Sequence, residues 1–274
     1  MKYNIEKNGI LLLPYEGFSL KDTLGCGQCF RFSEDEAGVF SGIVGRTLIK
    51  ASQKKGGEVF FYDLSESDFL TNIAPYFDLF CNYENIKQRL SLDPTLKEAI
   101  TYCGGIRILR QDPWEALCSF IISQNNNIER IKGIIARLCE NFGEKTEIGY
   151  LFPTPERLKG QDLSAIRAGF RDKYIADAVE KVLSGEIDFE KIENADYDTA
   201  LEMLMKIKGV GEKVGNCVLL YGFHKTEGFP KDVWIKRVLE RFYKNGFPED
   251  CYDIRGVAQQ YLFHYIRTKG IDIG

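Results

Sequence analysis

The spacing of hydrophobic and polar positions changes once along the chain. In the first hundred residues apolar side chains come in short runs: Val39-Phe40-Ser41-Gly42-Ile43, Arg46-Thr47-Leu48-Ile49-Lys50 and Val59-Phe60-Phe61-Tyr62-Asp63. Runs of this length, set between turn residues such as Lys54-Lys55-Gly56-Gly57, predict strands of an antiparallel sheet. From about Ser67 the pattern becomes helical, and after Tyr102 it is almost wholly so. Asp112-Pro113-Trp114-Glu115 is a start signal, with an aspartate to cap, a proline for the first helical position and a glutamate to complete a capping box. Ile128, Ile131, Ile134, Ile135 and Leu138 recur at helical spacing. Thr154-Pro155 opens another helix, and Tyr174, Ala178 and Val182 mark the next. The expected fold class is α+β. An N-terminal antiparallel β-sheet domain covers residues 1–100 and a mainly α-helical domain covers residues 101–274. No internal repeat or long linker interrupts this plan.

Composition narrows the class. With 44% hydrophobic and 28% charged residues the chain reads as an ordinary globular protein. No apolar run approaches the roughly 18–20 residues that cross a bilayer. The start, Met1 to Lys7, has no apolar core of the signal-peptide kind, so a cytoplasmic location is expected. Of the eight cysteines only Cys26 and Cys29 form a CxxC pair. A structural zinc site needs four ligands, and His224 and His264 stand far apart, so no zinc is expected. Nor is there a cysteine cluster near the C-terminus for an iron–sulfur centre. The thiols are expected to be reduced rather than a disulfide framework.

The net charge of −4 argues against nucleic acid as a partner. A binding face needs only a local excess, however. From Lys206 to Arg241, eight basic residues stand against four acidic ones, a local +4. Taken alone, that excess reads as a solvated helical surface.

The same segment holds the most informative motif, Leu204-Met205-Lys206-Ile207-Lys208-Gly209-Val210-Gly211-Glu212-Lys213-Val214. A helix from about Asp196 to Lys206 carries Leu201, Leu204 and Met205 inward. Gly209 and Gly211 break it, each free to take a positive φ, and a second helix starts at once. Its first turn offers free N–H groups and a positive dipole end, a cradle for a phosphate oxygen. Glycines between helices also serve packing alone. Lys213, though, lies in that first turn, where a cation is disfavoured. A positive dipole end, neighbouring cations and partial burial are what favour a neutral, nucleophilic lysine. Cys217 follows one turn on, on the same face. Nineteen residues after Lys213 comes Asp232, placed as the N-cap of a helix starting at Val233. It reads either as a cap alone or as a carboxylate that assists bond breakage at a sugar.

With these residues in hand, the chain resembles the helix–hairpin–helix (HhH-GPD) glycosylase superfamily, and more closely the 8-oxoguanine DNA glycosylase/lyase family. The resemblance runs from about Phe18 to Arg267. Gly25-Cys26-Gly27-Gln28-Cys29-Phe30-Arg31 is similar to the segment whose glycine carbonyl reads the N7 hydrogen of 8-oxoguanine, a role that falls to Gly27. Asn125-Asn126-Asn127-Ile128-Glu129-Arg130 matches a motif that fills the gap left by the flipped base and holds the orphaned cytosine, through Asn125 and Arg130. Gly169-Phe170-Arg171 falls where the family has an aromatic wedge, Phe170, and a second cytosine-binding arginine, Arg171. The resemblance makes Lys213 the Schiff-base lysine, Asp232 the catalytic aspartate and Cys217 a wall of the base pocket. Gln259 and Phe263 match the glutamine and phenylalanine that bind and stack on the base. Gly209, Gly211 and Val214 would grip DNA. The family implies no cofactor; the one metal it admits is a monovalent cation at hairpin carbonyls near Gly209. The chain departs from the family at Trp234, where many members have a histidine near a backbone phosphate, and at Phe170, where tyrosine is more usual.

The implied activity is base-excision repair. The substrate is double-stranded DNA with 8-oxoguanine opposite cytosine, and a monomeric prokaryotic enzyme would act on it at the nucleoid. The alternatives are a related glycosylase for another damaged base, or a non-enzymatic hairpin module. Lys213 and Asp232 together weigh against the module.

Overall fold

The computed structural model describes residues 1–270; the last four residues of the expected helical domain lie outside the described residues. One sheet holds β1 (Tyr3–Glu6), β2 (Gly9–Leu12), β3 (Phe32–Glu34), β4 (Val39–Val44), β5 (Thr47–Gln53) and β6 (Val59–Tyr62). Its order is β1-β2-β6-β5-β4-β3, with every neighbouring pair antiparallel. The strands expected from the sequence are β4, β5 and β6, with small changes of bounds. The other three were not legible. β1 is mostly exposed and shows no alternation, and β3 is only three residues long.

Alternate residues of the sheet, Ile10, Leu12, Ile49, Ala51, Val59 and Phe61, are buried on one face. They pack with Leu20 and Leu24 of α1 (Leu20–Gly25) and with Phe69, Ile73, Phe77 and Leu79. This is the period-2 pattern of a sheet covered on one side.

The helices that follow are α2 (Tyr83–Leu90), α3 (Pro94–Cys103), α4 (Pro113–Ser123), α5 (Ile128–Phe142), α6 (Asp172–Leu183), α7 (Phe189–Asn194), α8 (Tyr197–Met205), α9 (Glu212–Gly222), α10 (Val233–Phe242) and α11 (Arg255–Lys269). Most begin on a side-chain cap. Asp93, Asp112, Asn127, Asp196 and Asp232 each accept a bond from the backbone N–H three residues on. The capping box at Asp112 is only half formed. Asp112 accepts from the Glu115 N–H at 2.8 Å, but the Glu115 carboxylate turns to the Arg31 guanidinium at 3.0 Å. An arginine offers a buried carboxylate more than one backbone N–H does.

The helices enclose a second, larger core. Tyr83, Leu90, Leu96, Ala99 and Cys103 of α2 and α3 belong to it. α9 lies along α4, closely enough at Gly222 that a Cβ there would sit tightly against Pro113 and Ala116, at 3.1–3.2 Å. Residues 24–30 run along the seam between the cores. Leu24 and Cys29 enter the sheet core, while Cys26 and Phe30 enter the helical one.

Candidate active site

Two connected spaces open at the helical core. The inner one, about 60 Å³, is lined by Gly27, Phe120, Lys213, Cys217, Tyr221, Asp232, Gln259 and Phe263 among others. The outer one is a groove of about 660 Å³. Gly27, Phe120, Lys213, Asp232 and Phe263 line both spaces and so form the neck between them.

The hairpin brings Lys213 to that neck. α8 ends at Met205; Leu204 is buried there, but Met205 is exposed, contrary to the inward position its spacing suggests. Of the two glycines only Gly209 takes a positive φ, +79°. Gly211 is extended, at φ −101° and ψ −174°. The two do different work. A Cβ on Gly209 would fall 2.2 Å from the Tyr174 ring, so this glycine permits a close approach. Gly211 is the N-cap of α9 and supplies no side chain to it. The first N–H groups of α9 are therefore left bare where Gly211, Lys213 and Val214 line the groove. The carbonyls of Lys206, Ile207 and Gly211 already accept from the Lys181 ammonium, the Val210 N–H and the Gly215 N–H. Each carbonyl oxygen keeps a second lone pair, so one such bond does not bar it from a monovalent cation.

The Lys213 ammonium lies 5.7 Å from the centroid of Phe120, whose ring stacks on Tyr221 at 5.2 Å. Cys217 sits beneath it, its thiol pushed up by burial and drawn partly back by Lys213. Asp232 caps α10, with a carboxylate oxygen 2.8 Å from the Ile235 N–H. Burial pushes the Asp232 carboxyl above its ordinary value. The N–H groups of Ile235 and Trp234 and the charges of Lys213 and Arg267 pull the other way without cancelling the rise.

α11 supplies the opposite wall. Gln259 is buried and donates through Nε2 to the Pro230 carbonyl at 3.1 Å, while its Oε1 is buried with no partner. Phe263 is one turn on, with the Arg267 guanidinium 5.5 Å from its ring. Gly27 faces them at φ +83°; a Cβ there would meet Phe263, Arg267 and Ile128 at 3.7–3.8 Å. Cys26 and Cys29 are both free and buried, and desolvation pushes the Cys26 thiol up to about 12. Such thiols are inert packing groups.

Of the remaining candidates Asn125 lines the groove, while Arg130, Phe170 and Arg171 are not among the residues that line it. Asn125 is exposed at φ +49°, and Arg130 is exposed on the first turn of α5. Phe170 stands half-exposed, edge-on to Tyr174 at 5.6 Å. Arg171 is close to Arg130 but buried. It donates to the carbonyls of Ala168 and Gln124 and lies 4.3 Å from the Phe170 ring. In this state its guanidinium braces the wedge.

Two family models match this chain over residues 10–248, which takes in Gly27, Lys213 and Asp232 but not Gln259 and Phe263. The 8-oxoguanine DNA glycosylase N-terminal domain covers residues 10–117, and the HhH-GPD superfamily base excision DNA repair protein covers residues 118–248. The chain belongs to the 8-oxoguanine glycosylase family of the HhH-GPD superfamily. The N-glycosylase/DNA lyase of Saccharomyces cerevisiae is 30% identical, over 87% of this chain and 72% of its own. Among solved structures, MBOgg1 in complex with a low-affinity DNA ligand is 42% identical, with a TM-score of 0.90, over 99% of this chain and 100% of that one. The Clostridium acetobutylicum 8-oxoguanine glycosylase/lyase, bound to double-stranded DNA with cytosine opposite 8-oxoG, is 37% identical, with a TM-score of 0.91, over 99% of each chain.

This member of the family also relies on residues that the sequence did not single out. Gln28 is fully buried and donates to the carbonyls of Thr23 and Arg107, while its Oε1 accepts from the Leu109 N–H. Gln260 donates to the Cys26 carbonyl at 3.1 Å and accepts from the Tyr221 hydroxyl. Together they fix the peptides on both sides of Gly27. Tyr174 touches both the wedge, Phe170, and the hairpin, at Gly209. Gln28 and Gln260 adjoin singled-out residues, and Tyr174 sits on a recognised helix. None carries a signal of its own without the fold.

Proposed function

We propose that this protein is a monomeric base-excision DNA glycosylase with β-lyase activity. It removes 8-oxoguanine, preferentially opposite cytosine, through a Schiff base on Lys213. The observation that carries the reading is the shared neck, which an amine and a carboxylate both line between a small pocket and a wide groove.

The groove takes the duplex. The bare N–H groups at the start of α9 hold a backbone phosphate. Phe170 enters the stack, and the damaged nucleotide leaves it at a cost of a few kcal/mol. Phe263 and Cys217 take the faces of the base. The unpartnered Gln259 Oε1 is an acceptor waiting for its edge, and Gly27 offers a carbonyl to the N7 hydrogen. Asn125, Arg130 and Arg171 favour cytosine as the base left behind; Arg171 would have to exchange a backbone carbonyl for it.

Lys213 gives up its ammonium proton, which the departing purine takes, and the free amine attacks C1′ as the glycosidic bond breaks, its electrons leaving with the purine. Asp232 stabilises the positive charge that develops on the sugar. The C1′–O4′ bond then opens, the oxygen taking the proton that nitrogen loses, to give the Schiff base; loss of a C2′ proton next expels the 3′ phosphate and nicks the strand. A carboxyl raised by burial is suited to these proton transfers.

Borohydride trapping on a duplex with one 8-oxoguanine opposite cytosine tests the assignment. A covalent adduct from the wild type and none from Lys213→Gln is the expected result. No adduct from wild type that still binds undamaged DNA would overturn the substrate.

A further inference from the structure

Trp234 is the groove residue for which the base-release chemistry has no use. Its indole stands on the first turn of α10, 39% exposed, beside Val233 at 63%. Both line the groove together with Lys231, Lys236 and Arg267, and the Arg237 guanidinium lies 5.9 Å from the indole centroid. The other tryptophan of the chain, Trp114, shows the usual outcome. It is buried, and its indole N–H donates to the Pro153 carbonyl at 2.9 Å. An indole left in water forgoes burial that would favour folding. An apolar patch rimmed by cations suits a partner that is itself apolar on its faces and anionic at its edge, which describes a nucleotide strand. The position is close to the chemistry, because the backbone N–H of Trp234 also bonds the Asp232 carboxyl.

We infer that Trp234 is a stacking platform for the nucleotide next to the flipped one on the damaged strand. It is a substrate-positioning residue, and the inference rests on the DNA-repair reading of the groove. The indole face meets a base or its sugar, while Arg237 and Lys236 meet the neighbouring phosphates. Because Trp234 and Asp232 share one helical turn, a nucleotide held there sets the distance between the sugar of its neighbour and the carboxylate.

The chain has two tryptophans, so intrinsic fluorescence reads this directly. The probe is a duplex with one tetrahydrofuran abasic analogue opposite cytosine, which binds but cannot be cut. Mobility shift and tryptophan emission are recorded together. In the wild type, emission falls by about half as the complex forms, since one indole of two stacks on a base. Trp234→Leu shows no such fall and binds about 10-fold more weakly. Trp234→Phe restores the affinity without the signal. A shifted wild-type complex with unchanged emission, or equal quenching in Trp234→Leu, overturns the inference. A wild type that forms no shifted complex overturns instead the DNA reading on which it rests.

Discussion

Asp232 carries two duties that one carboxylate performs at some cost. As the N-cap of α10 it accepts from the Ile235 N–H, a task asparagine does equally well. As a buried acid its pKa is raised above 3.8, first by desolvation. The folded chain then holds this proton more tightly than the unfolded chain. Stability therefore falls as pH rises from 3.8 through the folded value, and the deficit persists at neutral pH. Asp232→Asn keeps the cap and removes the buried charge. Its melting temperature at pH 7.5 is expected to exceed that of wild type by about 2–4 °C. The advantage should shrink as the pH is taken down toward 4, while base release drops by at least about 100-fold. Melts of the two proteins across that range decide the matter. Equal melting temperatures at pH 7.5 would mean that the charge is compensated where it lies.

At the scale of elements, the hairpin between α8 and α9 separates two uses of glycine that look alike in sequence. Gly209→Ala forces a methyl to within 2.2 Å of the Tyr174 ring at φ +79°. Overpacking and the left-handed backbone together should cost about 2–4 kcal/mol, read from the urea midpoint. Tyr174 also holds the edge of Phe170, so the wedge should be displaced with it. Gly211→Ala meets nothing within 4 Å and needs no strained φ, so its stability should stay within about 1 kcal/mol of wild type. Gly211 lines the groove where the bare N–H groups of α9 open, so a methyl there should lower DNA affinity instead. Equal urea midpoints for the two variants would contradict this division. The contrast also marks the limit of what the sequence discloses. The helix starts at Asp112 and Asp232 were legible because these residues cap by local bonds, and Lys213 stood out because a cation opens a helix. The strands β4 to β6 were legible by length and composition. The different φ of Gly209 and Gly211 was not, because it depends on Tyr174, which arrives from α6. For the same reason the brackets of Gln28 and Gln260 around Gly27 were invisible, since their partners lie on other elements. The second half of the Asp112 capping box failed because Arg31, distant in sequence, outbids a backbone N–H for Glu115.

Across the whole molecule, the site depends on how the two cores are held together, because Gly27 comes from the seam and Lys213 from α9. Asp78 fastens them at the other end of α9. It leaves the sheet core between Phe77 and Leu79, both fully buried, and its carboxylate lies 2.9 Å from the Arg110 Nε and 3.2 Å from the His224 Nε2, just past the end of α9. Burial pushes the Asp78 carboxyl up. The nearby His224 imidazole and the Arg110 guanidinium, which donates to Asp78, outweigh that and hold it below 3.8. Here the sign is opposite to that at Asp232. The stability Asp78 contributes is present in full above 3.8 and is lost as pH falls through the lower, folded value. Asp78→Asn should therefore unfold at lower urea than wild type at pH 7, by on the order of 2 kcal/mol, and the gap should close in acid. Lys213 and Asp232 are untouched, so trapping per folded molecule should remain at the wild-type level. A gap that persists below the folded pKa would mean that Asp78 contributes through shape rather than charge. A loss of trapping by fully folded Asp78→Asn would mean that the fastening at one end of α9 sets the position of the lysine at the other.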